Sequence, residues 1–136
     1  MNDLRVVAIT HKNFPLETIG KFHISDDRRK EVLSRVKEKC GMGEIMYLST
    51  CNRVEFIFTL PHYVCPGVTA QMLAATGVEL SEEELRSIAA KAERHNGAEA
   101  AEHLLNVAAS LDSAIIGERE IITQLRKAYE ECSAMN

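Results

Sequence analysis

The sequence predicts an α+β fold: a ferredoxin-like split β-α-β sandwich, in which helices cover one face of an antiparallel sheet, followed by C-terminal helices. Three observations predict it. A short apolar run rich in β-branched residues, Leu4 to Thr10, opens the chain. Two more strand-like runs, Glu44 to Leu48 and Val54 to Leu60, flank Ser49-Thr50-Cys51-Asn52-Arg53. Segments of helical period separate and follow these runs, so the order reads β-α-β-β-α, and one more strand completes the split β-α-β unit.

The elements follow in chain order. Leu4 to Thr10 reads as a central strand, because both of its faces are apolar. His11 to His23 is punctuated by Pro15 and Gly20 and reads as irregular. Ser25-Asp26-Asp27 offers a helix cap and an acidic first turn, Val32, Leu33, Val36 and Cys40 follow at helical spacing, and Gly41 and Gly43 end the helix. Gly41-Met42-Gly43 follows a helix rather than a strand and lacks a third glycine, so it is a turn and not a nucleotide loop. A helix covers Val68 to Ala75. Ser81-Glu82-Glu83-Glu84 is a capping box that starts a short helical turn. The missing strand is expected at an edge, within residues 89–95. From Gly97 the chain is helical, with one apolar stripe at Leu104, Val107, Ala108 and Leu111 and a second at Ile121, Ile122, Leu125, Tyr129 and Cys132; Asp112-Ser113 and Gly117-Glu118 mark a break between them. Residues 1–96 thus form the sheet part and 97–136 the helical part of one compact unit.

Composition narrows the function classes. A chain of 136 residues with 46% hydrophobic content holds one ordinary domain with a real core. The net charge of −4 argues against binding nucleic acid by bulk charge alone. No apolar run approaches the roughly 20 residues needed to cross a bilayer, and Met1 to Arg5 lacks a signal-peptide layout, so a cytoplasmic location is expected. The four cysteines (Cys40, Cys51, Cys65, Cys132) have no short paired spacing and read as free thiols. His62 and Cys65 are three apart, but no second pair completes four ligands, so no metal is expected.

Cys51 carries the chemistry. It stands between two strands, with Arg53 two positions on to favour its thiolate. If the chain is extended from Cys51, residues 51, 53 and 55 share one face and Val54, Phe56 and Phe58 take the other. The thiol, a guanidinium and a carboxylate then line one surface with a core behind. From the residues alone, alternatives stand beside each of these assignments. Most lone cysteines are small buried hydrophobes and most lone helix histidines are structural, so Cys51 and His103 carry those readings too, and Arg53 that of a solvated arginine paired with Glu55.

Three ordered segments resemble the N-terminal, substrate-binding domain of glutamyl-tRNA reductases. Ile9-Thr10-His11-Lys12 with Pro15-Leu16-Glu17 is similar to the opening N-H-K-T-A-P-V-E. Ser49 to Glu55 is similar to S-T-C-N-R-x-E. His103 to Ser113, then Gly117-Glu118 and Ile121, is similar to H-L-F-R-V-A-x-G-L-D-S-x-x-x-G-E-P-Q-I. The resemblance implies a domain that forms a thioester on glutamyl-tRNA(Glu), within an enzyme that reduces it to glutamate-1-semialdehyde with NADPH in tetrapyrrole biosynthesis. It implies Cys51 as nucleophile, His103 as acid/base, and Thr50, Arg53, Ser113 and Glu120 as substrate-binding residues. Glu120 stands where the family has glutamine, an acceptor in place of a donor, and Ala109-Ser110 replaces a glycine.

Family members continue with a nicotinamide-binding domain and a helical dimerisation domain. Neither is expected in this chain, which has no strand–Gly-x-Gly-x-x-Gly–helix unit for NADPH. The implied partners are therefore glutamyl-tRNA(Glu) and, for the full-length enzyme, a second copy and glutamate-1-semialdehyde aminomutase. The competing reading is a non-catalytic ferredoxin-like module that binds tRNA or protein. A redox-sensing thiol is disfavoured, since no resolving cysteine lies near Cys51.

Overall fold

The computed structural model describes residues 3–114, which form a four-stranded antiparallel sheet and five helices. The strands are β1 (Leu4–Thr10), β2 (Ile45–Thr50), β3 (Arg53–Thr59) and β4 (Glu93–Asn96), in spatial order β2-β3-β1-β4. The helices are α1 (Leu16–Lys21), α2 (Asp26–Cys40), α3 (Pro66–Ala75), α4 (Glu82–Lys91) and α5 (Ala98–Ala114). This is the split β-α-β sandwich, with the last strand at the edge beside β1 as the element order required.

The sheet is covered on both faces. Val7 and Ile9 of β1, Ile45 and Tyr47 of β2, and Val54, Phe56 and Phe58 of β3 point into the main core with residues of α1 to α4, among them Ile19, Leu33, Val36, Met72 and Leu85. Val6, Ala8, Leu48 and Ile57 point the other way and pack against Ala100, Leu104 and Val107 of α5. The strand period of two sorts the residues between these faces. Because both faces are buried, β1 and β3 carry near-continuous apolar runs rather than a clean alternation.

Local departures from the sequence reading have local causes. The stretch after β1 contains a short helix, α1, because Pro15 sits just before its first turn, where a missing N–H costs nothing. Ser25 occupies the N-cap position of α2, but its side chain makes no capping hydrogen bond; only its carbonyl accepts, from the Arg28 N–H at 3.1 Å. Ser81 and Glu84 do form both bonds of a capping box, and the helix they start runs ten residues to Lys91 rather than a single turn. β4, Glu93–Asn96, falls at the end of the expected window and runs one residue past it, and α5 continues through Asp112 and Ser113 to Ala114. Gly117, Glu118, Glu120 and the stripe from Ile121 to Cys132 lie outside the described residues.

The end of α2 fixes the entry to β2. Gly41 has φ of 67°, the Met42 N–H bonds to the Lys37 carbonyl at 3.0 Å, and Met42 is buried beyond it. That is a Schellman motif, which asks for glycine at the left-handed residue. Gly41→Ala should therefore destabilise the chain by roughly 1 kcal/mol through backbone conformation, since the position has open space for a methyl group. A urea midpoint unchanged by the substitution would contradict this account.

Candidate active site

The hairpin that carries Cys51 is built by its register. Thr50 pairs with Arg53, leaving Cys51 and Asn52 as a two-residue turn. No residue other than glycine has positive φ among the described residues, so the turn is not one of the primed types that such hairpins favour. Other bonds hold it instead. The Thr50 hydroxyl donates to Asn52 Oδ1 at 3.1 Å, and the His11 N–H donates to the Asn52 carbonyl at 3.0 Å. The end of β1 thereby braces the turn. Cys51 itself is exposed.

Two residues past the turn the chemistry goes underground. Arg53 and Glu55 share the sheet face covered by α5, in cross-strand rows with Thr50 and Thr10, and with Leu48 and Ala8, respectively. Glu55 is fully buried. Its carboxylate accepts from Arg53 Nη1 at 2.7 Å on one oxygen and meets His103 Nε2 at 2.5 Å on the other. An unpaired carboxylate in this position would cost several kcal/mol, and two cationic or donor partners offset that. Burial pushes the Glu55 carboxyl up; hydrogen bonds from His103 and Arg53, with their charges, outweigh it and hold it below the usual carboxylate range.

His103 reaches Glu55 from α5, whose start is fixed by the Gly97 N–H bonded to the Leu4 carbonyl at 2.8 Å. Its ring is stacked on His95 of β4, with centroids 4.2 Å apart and planes 18° from parallel. His95 lies on this face because it pairs with Val6. Its Nε2 is buried without a hydrogen-bond partner among the described residues, and the Glu93 carboxylate is 4.0 Å away. Burial, then the charge of His103, depresses the His95 pKa against opposing pulls from Glu93, Glu55 and Glu99.

Glu93, His95 and His103 offer three ligand atoms within 4.8 Å of one another. The near-parallel stack sends the in-plane lone pairs side by side rather than toward a common point, so a cation would require one ring to turn. Gly41-Met42-Gly43 likewise is not a phosphate loop for a nicotinamide cofactor. Gly41 and Gly43 lie in the turn from α2 to β2, and a methyl group on Gly43 would stand 2.7 Å from the Thr59 hydroxyl oxygen, so that glycine is spent on strand packing rather than on a phosphate.

The expected open surface of thiol, guanidinium and carboxylate is therefore not what the structure contains. Cys51 belongs to the turn, Arg53 is turned onto Glu55 and is mostly buried, and Glu55 is sealed beneath α5. Arg53 is thus not the solvated arginine that its sequence also allowed, and His103 is tied to the same carboxylate. Thr50 stands beside the turn. Ser113 is carried by α5, ten residues beyond His103. Sequence reasoning overlooked Glu55 as an anchor and His95 altogether. The signal for Glu55 was present: Ile57, on its own face, is apolar, which betrays a covered second face. His95 in Glu93-Arg94-His95-Asn96 gives no apolar alternation to read.

The comparisons with known proteins meet this geometry. Residues 7–136 match the family model described as glutamyl-tRNAGlu reductase, N-terminal domain. The chain belongs to this family. Relatives include the glutamyl-tRNA reductase of Syntrophus aciditrophicus, 35% identical over 132 residues, covering 93% of this chain and 30% of that protein. That of Sorangium cellulosum is 37% identical over 140 residues, covering 91% and 26%. The solved structure of glutamyl-tRNA reductase from Methanopyrus kandleri is similar with a TM-score of 0.64 and 31% identity, covering 98% of this chain and 29% of that one. The chain therefore spans under a third of the length of these relatives.

The Glu55 centre has a measurable consequence. A carboxyl depressed in the folded state stabilises fully above its unfolded value, near 4.5, and that contribution is lost as pH falls through the lower folded value. Glu55→Gln leaves Arg53 and His103 without their counter-charge, and at pH 7 it should cost roughly 3 kcal/mol, the lower end for breaking a buried pair because Arg53 retains some solvent contact. Urea midpoints measured as pH falls should show a steep acid limb for the natural chain and a shallow one for the variant. Superimposable limbs would remove Glu55 from the account of acid stability.

Proposed function

We propose that this chain performs the thioester-forming step of a glutamyl-tRNA reductase. The observation that carries the reading is convergence: Arg53 and His103, from two separate family motifs, meet on the buried Glu55 behind the turn that holds Cys51. The Cys51 thiolate attacks the glutamyl ester carbonyl of glutamyl-tRNA(Glu). A carbon–sulfur bond forms, the carbon–oxygen bond to the ribose breaks, and the thiol proton ends on the leaving ribose oxygen.

Each remaining group has a role set by its surroundings. With Nε2–H donated to Glu55, a neutral His103 ring keeps its lone pair on Nδ1, and it exchanges the proton between the Cys51 thiol and the ribose oxygen through water rather than by direct contact. Glu55 orients that ring, as a carboxylate does in a nucleophile–histidine–carboxylate triad. Arg53, fixed through one N–H, has further donors for the carboxylate of the glutamyl side chain. Thr50 and Ser113 supply neutral hydrogen bonds to the glutamyl group, and Glu120 lies where the family places a further contact. Cys51, in the turn, lies four residues before Glu55, at most about 13 Å for a fully extended chain. Along α5 Ser113 lies ten residues, about 15 Å, beyond His103. The helix starts at the Leu4 end of the sheet and runs toward the hairpin end, so this spacing supports Ser113 as a neighbour of the turn.

Reduction of the thioester to glutamate-1-semialdehyde requires NADPH, and we assign that step to the longer reductases. Their homodimerisation, association with the aminomutase and cytoplasmic location belong to the same proposal.

Acid-quenched mass spectrometry of this chain mixed with glutamyl-tRNA(Glu) tests the reading. A glutamyl adduct is expected on the Cys51 peptide, absent in Cys51→Ser, with no semialdehyde formed when NADPH is added. Peptide mapping is essential, because Cys65 is also exposed and its thiol is held low by the backbone N–H of Val68, then Gly67, at the start of α3. An adduct that persists in Cys51→Ser would overturn the assignment of the nucleophile; semialdehyde from this chain alone would overturn the division of labour.

A further inference from the structure

We propose that His95 is a positioning residue for His103: its ring lies flat against the His103 ring, holds it on Glu55, and so keeps Nδ1 as the basic nitrogen. The inference rests on the reading of His103 as the acid/base, and adds a residue which that reading does not need.

Three features carry it. The stack is close and nearly parallel, so His95 covers one face of the His103 ring. The covering ring comes from a different element: β4 holds it by pairing with β1, while α5 carries His103, so the contact locks two elements as well as two rings. The buried Nε2 of His95 has no hydrogen-bond partner among the described residues, and its nearest carboxylate, Glu93, is 4.0 Å away. With no hydrogen bond to that nitrogen, the contact that holds His95 here is its flat face.

The charges around the pair agree. Glu55 and Arg53 face it from β3, Glu93 from β4 and Glu99 from α5. A second imidazolium stacked on the first would be repelled, and burial together with the His103 charge keeps His95 the reluctant partner. A charge on His95 is therefore disfavoured, and what this ring offers His103 is its flat face. Without it, water reaches the His103 face and competes for Glu55, and the ring can exchange tautomers or turn away.

The test uses this chain with His95→Phe, which keeps a flat ring, and His95→Ala, which removes it. Ring-nitrogen NMR, recorded as pH is raised until the His103 signals stop changing, reads the His103 tautomer. Quenched mass spectrometry reads the rate of Cys51 acylation by glutamyl-tRNA(Glu). His95→Phe should keep the Nε2–H tautomer and acylate within about twofold of the natural chain. His95→Ala should show mixed tautomers and acylate roughly tenfold more slowly, the scale of a misoriented catalytic group. Should His95→Ala fail to fold, His95→Leu, which fills the space without a flat face, is read in its place.

An unmixed Nε2–H tautomer in the Ala or Leu variant overturns the proposal, whether or not the chain acylates. His103→Ala separates the two levels. Acylation at the natural rate in that variant would sink His103 as acid/base and leave the tautomer spectrum to judge His95.

Discussion

A buried carboxylate under a helix imposes more on this fold than any apolar contact does. Glu55 sits in a central strand, fully buried on the face closed by α5. Its two oxygens must be matched, and they are matched by two groups that come from different places: Arg53, two residues away on the same strand, and His103, from the helix above. The first match is local and would form in the hairpin alone. The second requires α5 to lie in one place along the sheet, so a hydrogen bond of 2.5 Å sets the helix more narrowly than the packing of Ala100, Leu104 and Val107 could. Apolar contact tolerates sliding; a charge-assisted bond does not. Ala8 beside Glu55 and Ala100 on the helix leave the room this close approach needs.

The two faces of the sheet divide the work. Four helices and the larger core lie on one side, built from aliphatic and aromatic side chains, and give the strands a rigid backing. The Glu55 centre lies on the other side, with a smaller apolar cluster. A one-residue slip in β3 would bury Arg53 and Glu55 in the main core and expose Phe56 and Phe58 to α5, so the apolar pattern that specifies register also places the charges. The brace from His11 to Asn52 extends that control to the tip of the hairpin.

Much of this was readable in advance, and what was not has physical reasons. β1 and the hairpin strands announced themselves because strands buried on both faces are apolar throughout, and the Ser81–Glu84 capping box was legible because its two bonds need a fixed spacing of residue types. β4 was harder: Glu93-Arg94-His95-Asn96 has no apolar residue, and it is a strand because the edge of β1 offers it unpaired backbone. The candidate residues Cys51, Arg53 and His103 stood in sequence motifs, but their grouping did not. Extended geometry put Arg53 and Glu55 on one face correctly, yet nothing local says that the face is covered, and only the cover turns an exposed ion pair into a buried centre.

That cover also decides between the two roles open to Arg53 in the proposed reaction. As a solvated cation near the turn it would favour the Cys51 thiolate directly. With its charge set against Glu55 at 2.7 Å, the field it projects toward the turn is that of a dipole, which falls off faster with distance than that of a lone charge. What survives neutralisation is direction. A guanidinium fixed by one N–H holds its other donors in a plane, and a plane of donors recognises a carboxylate. Glu55 thus makes Arg53 a better clamp for the glutamyl side chain than an activator of the thiol, and it orients the His103 ring. The single buried carboxylate fixes both assignments at once.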